Sequence, residues 1–169
     1  MELIQTQTLT VTAASVVFSS IPQTYTDLVF LVSDRSSRPA GGINDSILIQ
    51  LNGAASTGKR LFGSGSGATS DSNTGVVNPA LGTTANVFSN IQFYIPNYAL
   101  TTQNKSWSAE GVMENNGTLS YQTLVAGLYS NTSAVTSVTF VQDQGPLFEA
   151  GSTISLYGIL KGSSSVVVS

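Results

Sequence analysis

The chain contains no histidine and no cysteine in 169 residues, and only 9% of its residues are charged. Histidine titrates nearest neutrality, so it is the usual proton shuttle and a common metal ligand. Cysteine is the strongest side-chain nucleophile and the main soft metal ligand. Their absence rules out Ser–His and Cys–His chemistry, Cys/His zinc sites and disulfide support. It says little about compartment, because a chain of this size builds a core without staples. Cations are also sparse: Arg35, Arg38, Lys59, Arg60, Lys105 and Lys161 are scattered along the chain. The net charge is −3 and the pI about 4.6. With no basic stripe, nucleic acid is not an expected partner. The opening Met-Glu-Leu-Ile-Gln-Thr lacks the positive start and apolar stretch of a signal peptide. No run approaches the ~18 apolar residues of a membrane span. A soluble protein made in the cytoplasm, with no membrane partner, is expected.

What is present is apolar residues, hydroxyls, amides and glycine, which is material for contact. Short runs rich in Val, Ile, Thr and aromatics, punctuated by Gly, Asn, Ser and Pro, predict an all-β chain. The runs are Thr6–Val11, Ser15–Phe18, Asp27–Ser33, Ser46–Leu51, Ala85–Ile95, Lys105–Asn115, Tyr121–Ser130, Val135–Gln142 and Thr153–Leu160. Several alternate: Ile91, Phe93 and Ile95 share one face, as do Trp107, Ala109, Gly111 and Met113. Leu28 to Val32 is apolar throughout, which predicts a central strand covered on both sides. Asn52-Gly53 and Asn116-Gly117 suit type I′ hairpin turns. Strands at this spacing predict an antiparallel β-sandwich, jelly-roll-like, of about eight to nine strands. Residues 1–160 form one domain. Residues 161–169 form a tail whose tip, Val166, Val167 and Val168, is suited to adding onto a neighbour's sheet edge.

Gly63–Thr84, rich in Gly, Ser, Thr and Asn, reads as a long surface loop. Its Gly63-Ser-Gly65-Ser-Gly67 run is not a Walker A loop, because Ala68 and Thr69 stand where Lys-Ser/Thr is required. No cofactor is expected. Asp71-Ser72-Asn73 is too little for calcium, and no Asp-x-Asp-x-Asp-Gly loop is present. Glu110 and Glu114 share a strand face but stand about 13 Å apart, beyond the ~5–9.5 Å of glycosidase pairs. Pairing across strands with Asp34, Asp45 or Asp143 stays open. Neither a Ser–His arrangement nor a nucleophile elbow is available, so the reading is not an enzyme. Candidate contact residues are Gly65 and Asn73 in the polar loop, Tyr98 exposed in the Pro96-Asn97-Tyr98 turn, and Val166–Val168.

Ala14-Ser-Val-Val-Phe-Ser-Ser-Ile-Pro-Gln-Thr-Tyr-Thr-Asp-Leu-Val-Phe-Leu-Val-Ser-Asp-Arg35 resembles a segment of virion structural proteins of tailed bacteriophages, including cyanophages. So do Ile49-Gln-Leu-Asn-Gly53, Lys59-Arg-Leu-Phe-Gly-Ser-Gly65, Thr84-Ala-Asn-Val-Phe88, Tyr94-Ile-Pro-Asn-Tyr-Ala99, Thr136-Ser-Val-Thr-Phe140 and Ser155-Leu-Tyr-Gly-Ile159, in the same order. The resemblance implies an antiparallel β-sandwich, a homo-oligomer, often a trimer, and a place on the virion surface. It carries no catalytic motif. Similar sequences occur as free-standing proteins and as end domains of tail-fibre-like proteins. The lack of a long N-terminal extension favours a capsid decoration (cement) protein. Its partner would be the phage major capsid protein, and it would be made in the host cytoplasm. The other expectation is a tail-associated adhesin that binds host-surface glycan through Tyr98 and the Gly63–Thr84 loop.

Overall fold

The computed structural model describes residues 1–39, 41–65, 67–114 and 120–160. The expected tail tip, Val166–Val168, and the Asn116-Gly117 turn lie outside the described residues. The strands are β1 (Glu2–Thr8), β2 (Ser15–Phe18), β3 (Asp27–Ser33), β4 (Asn44–Leu51), β5 (Ala54–Ala55), β6 (Thr57–Ser64) and β7 (Gly67–Asp71). They continue with β8 (Val76–Pro79), β9 (Asn90–Ile95), β10 (Lys105–Glu114), β11 (Ser120–Tyr129), β12 (Val138–Gln142) and β13 (Thr153–Ile159). Two antiparallel sheets pack together. One has the order β1-β13-β3-β9-β10-β11-β6-β7, the other β2-β12-β4-β5, with β8 also paired to β4.

The pairings reveal a nested ribbon. β4 pairs β8, β3 pairs β9, β2 pairs β12 and β1 pairs β13, all antiparallel. Successive pairs fall in alternate sheets, so an eight-strand ribbon is rolled up, which is the jelly-roll winding. Two insertions are added to it. Strands β5, β6 and β7 follow β4, and β10 and β11 follow β9. The insertions meet each other, with β11 pairing β6, and extend one sheet well beyond the roll.

Alternation fills the space between the sheets. Phe18 and Phe140 from one sheet meet Phe30 and Phe93 from the other, with ring centroids 5.1–5.4 Å apart for Phe18–Phe30, Phe30–Phe140 and Phe93–Phe140. Such pairs contribute about 0.5–1.5 kcal/mol each beyond the area they bury. Beneath the added strands, Val77, Met113 and Tyr121 form a second small core with Ile43 and Phe62 packed on it. At Gly127 a Cβ would enter the Trp107 ring, so glycine is what lets that indole lie flat on β11.

The structure corrects several expectations. Among the described residues thirteen strands form rather than about eight to nine. The Gly63–Thr84 stretch is not one long loop. It holds the end of β6, all of β7 and β8, and every residue of β8 is buried. Strands of only four or five residues carry too few positions to show period two. The first strand runs Glu2–Thr8, not Thr6–Val11, because its partner β13 begins at Thr153, opposite Thr8. Two others start late. β9 begins at Asn90 because Thr83, Thr84 and Val87 turn carbonyls to the Arg35 guanidinium. β12 begins at Val138 because the Val135 amide is bound by the Tyr98 carbonyl. Finally, β3 is covered on one face only in part: Val29 is buried, while Leu31 is 39% exposed.

Candidate functional site

The outer face of the eight-stranded sheet carries no covering layer among the described residues. Register places Ser70, Leu61, Leu124, Glu110, Gln92 and Leu31 in one row across β7, β6, β11, β10, β9 and β3. The next row holds Lys59, Ala126, Ser108 and Tyr94. Along these rows lies a concavity of about 680 Å³, and a second of about 300 Å³ adjoins it through Gln92 and Glu110. Leu31, Leu61, Val112, Leu124 and Leu128 are 39–56% exposed on this face. The result is a trough with an aliphatic floor and a sparse lining of amides and hydroxyls. It is built mainly on strands added to the roll.

Its electrostatics are quiet. Glu110 is the one carboxylate among the described lining residues, and Tyr94 the one aromatic. Tyr94 donates to the Asp27 carboxylate at 2.9 Å, and burial together with that carboxylate pushes its phenol pKa up. Lys59 donates to the Ser72 hydroxyl at 2.8 Å. The next side chain, Arg60, turns to the opposite face. There it makes a two-pronged pair with Asp71 at 2.6 and 3.2 Å and lies 5.4 Å from the Phe62 ring. That guanidinium holds the Asp71 carboxyl below the usual range. The trough is therefore equipped for contact and hydrogen bonding.

The acids considered from the sequence do not converge here. Glu110 and Glu114 are both exposed on one face of β10, four residues apart. Asp34 and Asp45 are buried elsewhere. Asp34 accepts from Asn78 Nδ2 at 2.5 Å, from Gln142 Nε2 at 2.9 Å and from the Ser89 hydroxyl. Burial pushes its pKa up against these bonds, and neighbouring Asp45 adds to the rise. Asp45 accepts from Ser36 Oγ at 2.5 Å and from the amides of Gly145, Ser46 and Gln144 at 2.7, 2.8 and 3.0 Å. These carboxylates tie loops together. Among the described residues no group of three His, Cys, Asp or Glu side chains gathers as a metal site.

Tyr98 is a correction. It was expected to be exposed, and it is fully buried. Asn97 takes φ +51° and its amide is held by Asp27 Oδ1 at 2.9 Å, which turns the next side chain inward. The Tyr98 hydroxyl donates to the Pro22 carbonyl. Gly65 is exposed with φ +47°, just before β7. Asn73 is half-buried just after β7, where its Oδ1 accepts from the Gly75 amide at 2.6 Å, a local turn contact. The two thus flank β7, and Tyr98 belongs to the core. The residues missed were the outward aliphatics. Their signal was present: Leu124, Ala126 and Leu128 alternate with Val125 and Tyr129, so that run is apolar on both faces.

Comparisons with family models, with curated proteins and with solved structures gave no match.

Proposed function

We propose that this protein is a structural component of a tailed-phage particle, a decoration protein that docks on the major capsid protein lattice through the trough. The observation that carries the reading is the uncovered aliphatic face, since contiguous exposed apolar surface marks interaction sites. The ordered sequence resemblance supplies the partner. Binding only to the assembled lattice stabilises that lattice by mass action. The amides and hydroxyls beside the aliphatic floor, Gln92, Gln122 and Ser108, favour a second reading, an adhesin module that holds a glycan.

Copy number and position on the intact particle separate the two. Hundreds of copies on the shell support decoration, and a few copies at the tail together with glycan-array hits overturn it. Purified protein added to shells that lack it should bind. Leu61→Asp and Leu124→Asp should each weaken that binding about tenfold, ~1.4 kcal/mol, with unchanged circular dichroism. Undiminished binding by the double variant would remove the trough from the interface.

A further inference from the structure

Both sheets have edges, and the edges are not treated alike. β1 carries a register shift between Leu3 and Gln5 and begins at an acidic residue, Glu2. β2 has its Val17 carbonyl occupied by the Gln7 side chain at 2.6 Å. β5 is two residues long, and β8 is buried and ends on Pro79. Bulges, charges, shortness, proline and cover are the devices by which edge strands avoid pairing. Among the described residues β7 has no bulge and no cover along its outer edge, and its one charge, Asp71, is turned to Arg60 on β6. Gly67-Ala-Thr-Ser-Asp71 has no lysine and no proline, keeps regular register with β6, and is exposed at every residue. It projects past both cores, and alternate residues turn their N–H and C=O groups away from β6.

The sequence of this edge suits one occupant in particular, which is itself. Place a two-fold axis at Thr69 and run a second β7 antiparallel to the first. Thr69 then faces Thr69 of the other copy, Ala68 faces Ser70, and Gly67 faces Asp71. Thr–Thr is a favourable cross-strand pair, and the small residues beside it let the backbones approach. The one charge, Asp71, meets glycine and not its own copy, and Arg60 already neutralises it. Like charges face each other nowhere along the pairing.

We infer that β7 is a homotypic docking edge, through which two copies of this chain join into one continuous sheet about a two-fold axis at Thr69. The contact is isologous and closes on itself, so it makes dimers and not filaments. Cross-strand partners point to the same side of a sheet, so the two troughs face the same way. A surface that binds one trough then meets the second at high effective concentration. The inference does not depend on the particle reading, because it concerns purified protein alone.

The test is the mass in solution of the full chain by sedimentation equilibrium. The wild-type protein should be dimeric. T69K and T69E should each halve the mass with unchanged circular dichroism, and an equal mixture of the two should restore the dimer. The chain has no cysteine, so T69C provides a second measurement. It should cross-link to a dimer on oxidation, while T10C, at another exposed position, should not. A monomeric wild type, a dimer indifferent to both charges, a mixture that stays monomeric, or equal cross-linking at residues 69 and 10 would each overturn the inference. None of these results bears on whether the trough docks on a shell.

Discussion

At the scale of single residues, the chain's electrostatic behaviour rests on a few placements. Asp34 is fully buried, and among the described residues no ion pair reaches its carboxylate. Burial raises its pKa above the ordinary 3.8, so the folded state holds the proton more tightly than the unfolded chain does. The stabilisation this confers is complete below the ordinary value and is lost as pH rises through the raised one. Asp71 is shifted the other way by Arg60, but it lies at the surface, where such pairs contribute little. Asp34→Asn removes the titration. Relative to that variant, the wild-type midpoint of thermal unfolding should fall as pH is raised above the ordinary carboxylate range. A constant difference above that range would show that Asp34 does not change protonation there.

At the scale of elements, turn chemistry was the most legible feature. Asn52 and Gly53 take φ +50° and +77°, and Leu51 pairs Ala54 across them, as Asn-Gly between alternating runs requires. Asn52 also does something the dipeptide could not announce. Its Nδ2 donates to the Ala134 carbonyl at 2.9 Å, and its Oδ1 accepts from the amides of Thr136 and Ser137 at 2.9 and 3.2 Å. With a longer bond from the Thr136 hydroxyl at 3.4 Å, Asn52→Ala loses both the tolerated backbone conformation and four side-chain hydrogen bonds, an expected cost of about 2–4 kcal/mol. Asn52→Gly keeps the conformation and should cost about 1 kcal/mol less. Urea denaturation checks both, and equal costs would mean that the side-chain bonds alone matter. Strands with clean period two, such as β9 to β11 and β13, were readable because burial falls on alternate residues. β8 was not, since Val76 to Pro79 is buried throughout and only four residues long.

At the scale of the whole molecule, the ribbon decides the order of assembly. Of the ribbon's pairs the innermost, β4·β8, closes the shortest loop, while β1·β13 joins residues as far apart as Glu2 and Gly158. Non-local pairing of this kind folds slowly, on a scale of about milliseconds to seconds. Burial of the single tryptophan, Trp107, should precede amide protection in β1 and β13 when refolding is followed by fluorescence and pulsed hydrogen exchange. Protection of β1 and β13 first would contradict this order. The sandwich itself was legible from strand spacing, but the candidate site was not. Leu61 on β6 and Leu124 on β11 become neighbours only because two insertions distant in the chain pair with each other. The nested winding also has a mechanical meaning. Glu2 lies opposite Gly158, so the two ends of the roll leave it side by side. Tension applied between them would open β1 from β13 like a zip, one hydrogen-bonded pair after another. The same molecule gripped by its broad sheet faces would have to yield all at once, so the direction of a load, more than its size, would set how long the fold survives it.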